Sequence, residues 1–301
     1  MNIKYLINRA VRQYPNNLAV VYGEKRLTFF QLNNRVNRLA NALIKHGLKK
    51  GDRIGILMKN STYFIEFDFA LPKIGAVRVP LNVRLSDQDH EYMLNDSESS
   101  ALIFGEEFIE TVKRIRPNLK TVTKFIRVSN EESGTLPVGM LDYEDIVGDS
   151  SEEEPAGYID DDDLHTIFYT SGTTGKPKGV MLTQKAWANI VMNLILDYGP
   201  VTEQDVILNL QPLSHGAGFF VLPFFIKGAT NVLVPGFDAT LIFSTIEKEK
   251  VTVLKLVPTM LYQIMESEEK SHHDFSSLHS IIYGGSPIVV KKLIEAIEFF
   301  G

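Results

Sequence analysis

The chain has 301 residues and a formal net charge of −6, because 37 acidic side chains outnumber 31 basic ones. This balance argues against a protein that binds nucleic acid through a broad basic surface, since neutralising phosphates requires clustered lysine and arginine. The sequence contains no cysteine, which excludes disulfides, a thiol nucleophile and cysteine-ligated zinc, and favours a cytoplasmic location. Its longest apolar run, Phe219–Ile226, is too short to span a membrane, so we expect a soluble protein with at most peripheral membrane contact.

The first predicted helix lies in the stretch LTFFQLNNRVNRLANALIKHG. Thr28 and Gln31 have the spacing of a capping box, in which each side chain bonds the backbone amide of the other residue. Leucine, valine and isoleucine then recur on one helical face, and Gly47 has the position of a left-handed helix stop. These signals predict an amphipathic helix that begins near Thr28 and ends near Gly47.

A strand, a helix and a second strand follow. Arg53–Met58 is a short apolar run bounded by turn residues, and Ala76–Pro80 is a second one. Asn60 or Ser61 can cap the helix between them, and Gly75 can end it. A strand–helix–strand unit of this length implies two parallel strands joined by a right-handed crossover.

Two more strands are predicted at Ala101–Phe104 and Thr123–Val128. Periodicity then fades from 129 to 163, where acidic clusters occur at Glu152–Glu154 and Asp160–Asp163. We interpret this stretch as a solvated connection. The alternative is a metal site at Asp160–Asp163, which we disfavour because adjacent side chains point in divergent directions.

The alternation of strands and helices resumes at Leu164–Tyr169, which predicts a strand. The stretches VILNLQP, TNVLVP, VTVLKLVP and SIIYGG predict four more buried strands. Helical patterns separate them, among them TLIFSTIEKEK and TMLYQIMESEE, and PIVVKKLIEAIEFFG predicts a helix at the end of the sequence. Repeated alternation of this kind predicts an α/β fold with largely parallel sheets.

The segment that follows this strand has an unusual composition. The stretch YTSGTTGKPKGV, from Tyr169 to Val180, is rich in glycine, hydroxyl side chains and lysine. Glycine lets backbone amides approach an anion closely, while hydroxyl and ammonium groups add donors and positive charge. Because ligands of parallel sheets bind at the carboxyl ends of the strands, the stretch indicates a polyphosphate-binding loop. A flexible surface loop without a ligand is the alternative.

Spacing excludes two common phosphate-binding motifs. A Walker A loop has four residues between its glycines, whereas Gly172 and Gly175 are only three positions apart. Pro177 follows Lys176 and discourages a helix that begins at the lysine, so a helix-dipole site is disfavoured. The stretch also fails to match the GxGxxG pattern of dinucleotide-binding folds.

The complete string YTSGTTGKPKGV resembles the signature phosphate-binding loop of the adenylate-forming superfamily, which includes acyl- and aryl-CoA synthetases, firefly luciferase and peptide-synthetase adenylation domains. The segments KGDRIGILMKNSTYFIEFDFALPKIGAVRVPLN, PLSHGAGFF, LVPTML and IIYGGSPI extend the resemblance, in the family's order, from about Thr28 onward. The chain is most similar in appearance to fatty-acid–CoA ligases. LSHGAGFF lacks the aspartate with which peptide-synthetase domains pair a substrate ammonium, which favours a plain carboxylic acid. One departure is Gln184, where the family often has histidine.

This resemblance implies a reaction and the roles of individual residues. A carboxylic acid attacks the α-phosphate of ATP with the help of Mg²⁺, pyrophosphate leaves, and the acyl group then passes to coenzyme A. The residues implied to bind the ATP phosphates are Thr170, Ser171, Gly172, Thr173, Thr174, Gly175, Lys176 and Lys178. The residues implied to line the nucleotide and acyl pocket are His215, Tyr283, Gly284, Gly285, Ser286 and Pro287. No catalytic residue and no metal ligand is assigned within the 301 residues.

The resemblance also implies a domain organisation. It predicts two stacked αβ subdomains, one of residues 50–196 and one of residues 1–49 together with 197–301, with the nucleotide at their junction. Family members continue beyond the position of Gly301 with an Mg²⁺-binding glutamate, a hinge and a small C-terminal domain, so we expect an N-terminal part of an adenylation domain that is inactive alone. The alternatives are an aryl- or short-chain-acid–CoA ligase, or a non-catalytic nucleotide- or acyl-binding protein if 301 residues is the natural length.

Overall fold

Two largely parallel β-sheets with helices packed against them form the protein in the computed structural model, which confirms the predicted α/β fold. The structure describes residues 2–129, 136–170, 176–267 and 273–300. The strands are β1 (Leu18–Tyr22), β2 (Lys25–Thr28), β3 (Arg53–Leu57), β4 (Val77–Pro80), β5 (Ala101–Gly105), β6 (Lys124–Val128), β7 (Leu141–Asp142), β8 (Leu164–Thr170), β9 (Lys178–Thr183), β10 (Val206–Asn209), β11 (Thr230–Leu233), β12 (Val253–Leu256) and β13 (Ser280–Tyr283). The α-helices are α1 (Ile3–Gln13), α2 (Phe29–Lys45), α3 (Thr62–Ile74), α4 (Asp87–Asp96), α5 (Ile109–Ile115), α6 (Tyr143–Gly148), α7 (Gln184–Asp197), α8 (Gly218–Phe225), α9 (Ala239–Glu249), α10 (Pro258–Glu266) and α11 (Val290–Phe300).

The six-stranded sheet has the order β13–β12–β10–β11–β1–β2. Its neighbouring strands are parallel except for β1 and β2, which form an antiparallel hairpin at the sheet edge. The four strands predicted between VILNLQP and SIIYGG are present as β10 to β13. Because β10, β12 and β13 are parallel neighbours, the segments that follow their carboxyl ends lie side by side.

The seven-stranded sheet has the order β7–β6–β5–β3–β4–β8–β9. The parallel pairing of β3 with β4 across α3 confirms the predicted strand–helix–strand unit. Strand β9, which was not predicted from the sequence, pairs antiparallel with β8 at the sheet edge. Val180 and Met181 in this strand are exposed, so β9 lacks the buried apolar pattern that reveals a central strand.

The helix termini carry the local signals expected from the sequence. Thr28 and Gln31 form both bonds of the capping box at the start of α2. The side chain of Ser61 caps α3, and Gly75 ends that helix in the left-handed region with φ = 71°. None of the described helices is both long and apolar enough to cross a membrane.

Part of the segment predicted to be a solvated connection is instead packed against α2. The short helix α6 carries Tyr143, which is fully buried and whose hydroxyl hydrogen-bonds the carboxylate of Glu66 in α3. A single buried turn of helix is too short to produce a recognisable periodicity, which explains the difference. Gly134 lies outside the described residues.

The acidic clusters of this segment contact basic side chains. Glu152 pairs with Arg38 at 2.8 Å, and Glu154 pairs with the buried Lys73 at 2.7 Å. Asp163 accepts a 2.6 Å bond from the backbone amide of Asp160. Within the described ranges, no group of three or more histidine, aspartate or glutamate side chains could hold a metal ion.

One apolar core joins the two sheets. Helix α3 is buried along all 13 of its residues, and Phe69 within it packs against Phe225 of α8 with ring centroids 4.7 Å apart. The same cluster includes Ile54 of β3 and Leu233 of β11. Because close packing resists sliding, this core fixes the loops of one sheet relative to those of the other.

Candidate functional site

The two ends of the glycine-rich loop are neighbours at the edge of the seven-stranded sheet. Thr170 ends β8 and pairs with Lys178, which begins β9. The Nζ atom of Lys176 lies 5.6 Å from the centroid of the Tyr92 ring, and both lysines are exposed. The remaining predicted phosphate-binding residues lie outside the described residues: Ser171, Gly172, Thr173, Thr174 and Gly175.

Packing around β8 anchors the start of this loop. The hydroxyl of Tyr169 donates to Oδ2 of Asp96 at 2.7 Å and also bonds the backbone oxygen of Met93. A Cβ atom on Gly179 would lie 2.7 Å from Cγ2 of Ile167 and 3.2 Å from the Tyr169 ring. The glycine therefore allows β9 to approach β8 over the two larger side chains.

A cavity of about 360 Å³, here called the loop cavity, lies beside the loop. Thr170 and Pro177 line it from the loop, and Ser214 and His215 line it from the segment after β10. Asp89 also lines this cavity, and its Oδ2 accepts bonds from the amide and hydroxyl of Ser86 at 3.2 and 2.7 Å. The loop cavity is therefore bordered by both sheets' loops.

A larger cavity of about 490 Å³, here called the apolar cavity, opens at the carboxyl ends of β10, β12 and β13. Four of the predicted pocket residues line it: His215, Tyr283, Gly284 and Gly285. The other side chains around it are mostly apolar: Ile190, Leu194, Phe219, Phe220, Val257, Met260 and Ile282. Its volume is within the range of small-molecule sites, whose walls are mainly apolar with a few polar groups.

His215 borders both cavities. Its ring stacks on Phe168 of β8, with centroids 5.7 Å apart and planes inclined by 20°. Burial, together with the nearby charge of Lys255, lowers the pKa of His215 below its ordinary value of 6.5. The imidazole is therefore neutral at pH 7 and can donate one hydrogen bond and accept another.

The structure does not bring every predicted pocket residue into the cavity. Ser286 and Pro287 are exposed and line neither the apolar cavity nor the loop cavity. Gly285 has φ = 87°, a left-handed conformation that turns the chain away after the glycine pair. Ser286 and Pro287 could contact a substrate only if it extended beyond the mouth of the apolar cavity.

Asn60 holds the segment that carries His215, a role that the sequence analysis missed. Its Nδ2 donates to the backbone oxygens of Gln211 and Val234 at 2.9 and 3.1 Å, and its Oδ1 accepts from the amide of Leu213 at 2.9 Å. The side chain is only 4% exposed. The sequence offered Asn60 as a helix cap, but Ser61 supplies the cap and Asn60 joins the two sheets instead.

Lys255 of β12 is a second site residue that the sequence analysis missed. Its side chain enters the apolar cavity, where Nζ donates to Oε1 of Gln211 at 2.6 Å and lies 4.7 Å from the centroid of the Phe220 ring. Burial lowers the pKa of Lys255 to about 8. A lysine inside an otherwise apolar strand pattern was the available signal for this position.

Gln184, where the resembled family often has histidine, joins two helices. It is fully buried at the start of α7, and its Oε1 accepts a bond from the backbone amide of Ile3 at 3.2 Å. Gln184 lines neither cavity. It therefore ties α1 to α7.

The donors at the loop suit phosphate groups better than they suit a divalent metal. Thr170 supplies a hydroxyl, and the exposed Lys176 and Lys178 supply positive charge. Asp89 is the one carboxylate among the described residues that line either cavity, and it is engaged by Ser86. These residues fit a polyphosphate and do not form a ligand set for Mg²⁺.

The chain is similar to known proteins over most of its length. A family model described as AMP-binding enzyme matches residues 7–301. The chain is 35% identical over 282 residues to a feruloyl-CoA synthase from Amycolatopsis sp, and 31% identical over 317 residues to the long-chain-fatty-acid–CoA ligase FadD13 from Mycobacterium tuberculosis. The alignments cover 93% and 99% of this chain but only 53% and 59% of those relatives.

A solved structure has the same fold. The inhibitor-bound N-terminal domain of FACL13 from Mycobacterium tuberculosis superimposes with a TM-score of 0.90 at 29% identity. The superposition covers 99% of this chain and 73% of that one. This chain therefore spans a little more than half the length of the relatives it matches in sequence, and most of a single domain of the structural neighbour.

Proposed function

Because the chain belongs to the family of AMP-binding enzymes, whose members similar to it are named CoA ligases and synthetases, we propose that the whole protein is an acid–CoA ligase. In the first step a carboxylate oxygen of the acid bonds to the α-phosphorus of ATP, and the bond from that phosphorus to the pyrophosphate oxygen breaks. In the second step the thiol of coenzyme A gives up its proton to solvent, its sulfur bonds to the acyl carbon, and the bond from that carbon to the phosphate oxygen breaks, which releases AMP.

The position of His215 between the two cavities carries this proposal. The loop cavity borders the glycine-rich loop, and the apolar cavity offers space for the body of an acid. An acid that lies in the apolar cavity with its carboxylate at His215 therefore meets a nucleotide whose phosphates lie at the loop. Holding the two reacting groups together removes much of the entropic barrier to a reaction between two molecules.

The proposed roles follow from the chemistry of each group. Thr170, Lys176 and Lys178, together with Ser171–Gly175, bind the β- and γ-phosphates and stabilise the departing pyrophosphate. Neutral His215 orients the carboxylate through a hydrogen bond without repelling the cations of the loop. Mg²⁺ is expected to share the charge of the phosphates, with its ligands supplied by ATP and by residues other than those described around the two cavities.

The proposal includes the type of acid and the location of the nucleotide. The apolar walls support an acid with a large apolar body, for which a fatty acid is our first choice and an aryl acid the second. We further propose that residues 50–196 form one subdomain, that residues 1–49 and 197–301 form the other, and that ATP binds at their junction. The membership of β3–β9 in one sheet and of the other strands in the second sheet supports this division.

An ATP–pyrophosphate exchange assay on the complete gene product tests the proposal. We expect exchange with medium- or long-chain or aryl acids and little with acetate, and a large loss of exchange in His215→Ala. The surface variant Lys45→Met is the control and should keep the exchange rate of the wild type, since Lys45 lies in the last turn of α2 and lines neither cavity. If no acid supports exchange, the ligase proposal is wrong. The same assay on residues 1–301 tests the expectation that they are inactive alone.

A further inference from the structure

The apolar cavity contains positive charge and no described negative charge. Lys255 enters it from β12, and Arg84 lies exposed at its edge. No aspartate or glutamate is among the described residues that line this cavity. A cation in the wall of a cavity that holds only a hydrocarbon chain is unfavourable, because burying a charge without a partner costs free energy.

The ammonium of Lys255 keeps hydrogen-bonding capacity for a ligand. An ammonium has three donors, and within the described residues Gln211 is its one hydrogen-bond acceptor, at 2.6 Å. Burial is the cause of its lowered pKa, and no described carboxylate offsets that effect. At neutral pH the group is therefore charged, partly desolvated and short of acceptors.

Gln211 sets the direction of this ammonium. The backbone oxygen of Gln211 accepts a bond from Asn60 at 2.9 Å, which fixes the residue at the end of β10. The Gln211 side chain is 7% exposed and its Nε2 lies 3.9 Å from the sulfur of Met260. Lys255 is half-buried, and its bond to Gln211 directs the ammonium along the wall of the apolar cavity.

Lys255 lines the apolar cavity, which offers space for the body of the acid, and does not line the loop cavity. The reacting carboxylate must face the loop cavity, which Thr170, Pro177 and His215 line and Lys255 does not. The neighbours of Lys255 are instead the Phe220 ring and the apolar cavity wall. A group that bonds Lys255 therefore lies inside the apolar cavity, whereas the carboxylate that is activated turns from His215 towards the loop cavity.

We propose that the acid carries a second anionic group, best supplied by a second carboxylate on its apolar body, and that Lys255 is the specificity-determining residue that binds it. This inference rests on the proposed ligase function and narrows its substrate class from apolar monoacids to diacids. The second carboxylate supplies Lys255 with acceptors beyond Gln211, the one acceptor among the described residues, and with a charge that compensates its burial. A charge-assisted hydrogen bond of this kind corresponds to about 10- to 100-fold in affinity.

Matched pairs of acids test the proposal on the complete gene product. CoA-ester formation is measured with monocarboxylic and α,ω-dicarboxylic acids of equal length, and with benzoate against terephthalate. The aliphatic acids have about six to twelve carbons, which is roughly the length that a cavity of this size admits. We expect the wild type to prefer the best diacid in kcat/KM. Lys255→Met should lower kcat/KM for that diacid about 10- to 100-fold more than it changes kcat/KM for the monoacid partner. Lys255→Arg, which retains the charge, should keep part of the diacid preference.

The outcomes separate this inference from the function on which it rests. If Lys255→Met lowers kcat/KM for monoacids and diacids by the same factor, or if the wild type prefers monoacids, the inference is overturned while the ligase function stands. If no acid is activated, calorimetric titration of the diacids into wild type and Lys255→Met tests whether Lys255 binds the second carboxylate. Diacid binding that depends on Lys255 then supports the inference without the ligase function, and equal or undetectable binding in the two proteins overturns it. Lys45→Met serves as the matched lysine control.

Discussion

Asn60 joins the loop after β3 to two segments of the other sheet, and its replacement by alanine gives a quantitative prediction. The side chain makes three hydrogen bonds to backbone groups, of Gln211, Val234 and Leu213, at 2.9 to 3.1 Å. Because Asn60 is only 4% exposed, water cannot take the place of the lost amide. Each such bond contributes about 1 kcal/mol net, so we expect Asn60→Ala to lower the free energy of unfolding by about 3 kcal/mol.

Asn41 provides a matched control for this measurement. Its Nδ2 also donates to two backbone oxygens, of Ser151 and Glu153 at 2.8 and 2.9 Å, but on the surface. Water can replace those bonds, so Asn41→Ala should cost less than about 1 kcal/mol. Urea unfolding followed by circular dichroism compares both variants with the wild type, with the midpoint and the slope fitted separately.

A second measurement addresses the role of Asn60 in the site. Loss of its bonds should loosen the segment that carries His215 and lower kcat/KM in the variant even at temperatures where it is fully folded. Equal unfolding free energies for Asn60→Ala and Asn41→Ala would refute the argument from burial. Unchanged kcat/KM in a folded but destabilised Asn60→Ala would show that the bonds stabilise the fold without positioning His215.

Four further predictions concern single groups. His215→Ala should lower kcat/KM for adenylate formation at least about 10-fold. The pH–rate profile of the wild type should show no histidine inflection above pH 6.5, because the pKa of His215 is lowered from that value. Lys178→Ala should weaken ATP binding about 10-fold in calorimetry, because one charge-assisted contact to a phosphate is lost. In the ligand-free protein the pKa of Lys255 is about 8, against 10.5 in the unfolded chain, so the unfolded state binds more protons between pH 8 and pH 10.5. The contribution of Lys255 to the free energy of unfolding should therefore rise with pH across that window, and Lys255→Met should lack this contribution. Thr28→Ala should cost about 1 kcal/mol in the same unfolding assay, because it removes the cap of α2.

Each of these four has a contradicting result. A histidine inflection near pH 7 that vanishes in His215→Ala would show that this ring is charged in the working enzyme. Unchanged ATP affinity in Lys178→Ala would remove that residue from the phosphate site. Identical pH dependences of unfolding for wild type and Lys255→Met would show that the ammonium is solvated. An unfolding free energy of Thr28→Ala within error of the wild type would mean that solvent replaces the cap.

Most of the secondary structure follows from local patterns. The capping box of Thr28 and Gln31 forms between residues three positions apart, so the sequence contains all of its partners. The buried strands β10 to β13 are short apolar runs bounded by turn residues, and their parallel arrangement follows from alternation with helices. Elements that depend on distant contacts were missed, namely the exposed edge strand β9 and the buried turn of helix at Tyr143.

Motif order and short-range periodicity are properties of the linear chain, so the family resemblance, the α/β fold and the location of the glycine-rich loop at the end of a strand could be predicted before folding was considered. The bonds from Asn60 to Gln211 and Val234 are visible only in the folded chain, since those partners are 151 and 174 positions away. The same holds for Lys255, whose lowered pKa and bond to Gln211 arise from the cavity that Phe220, Gln211 and β12 form together. Burial and hydrogen bonding across sheets depend on how distant segments pack, and no local pattern of residues records them.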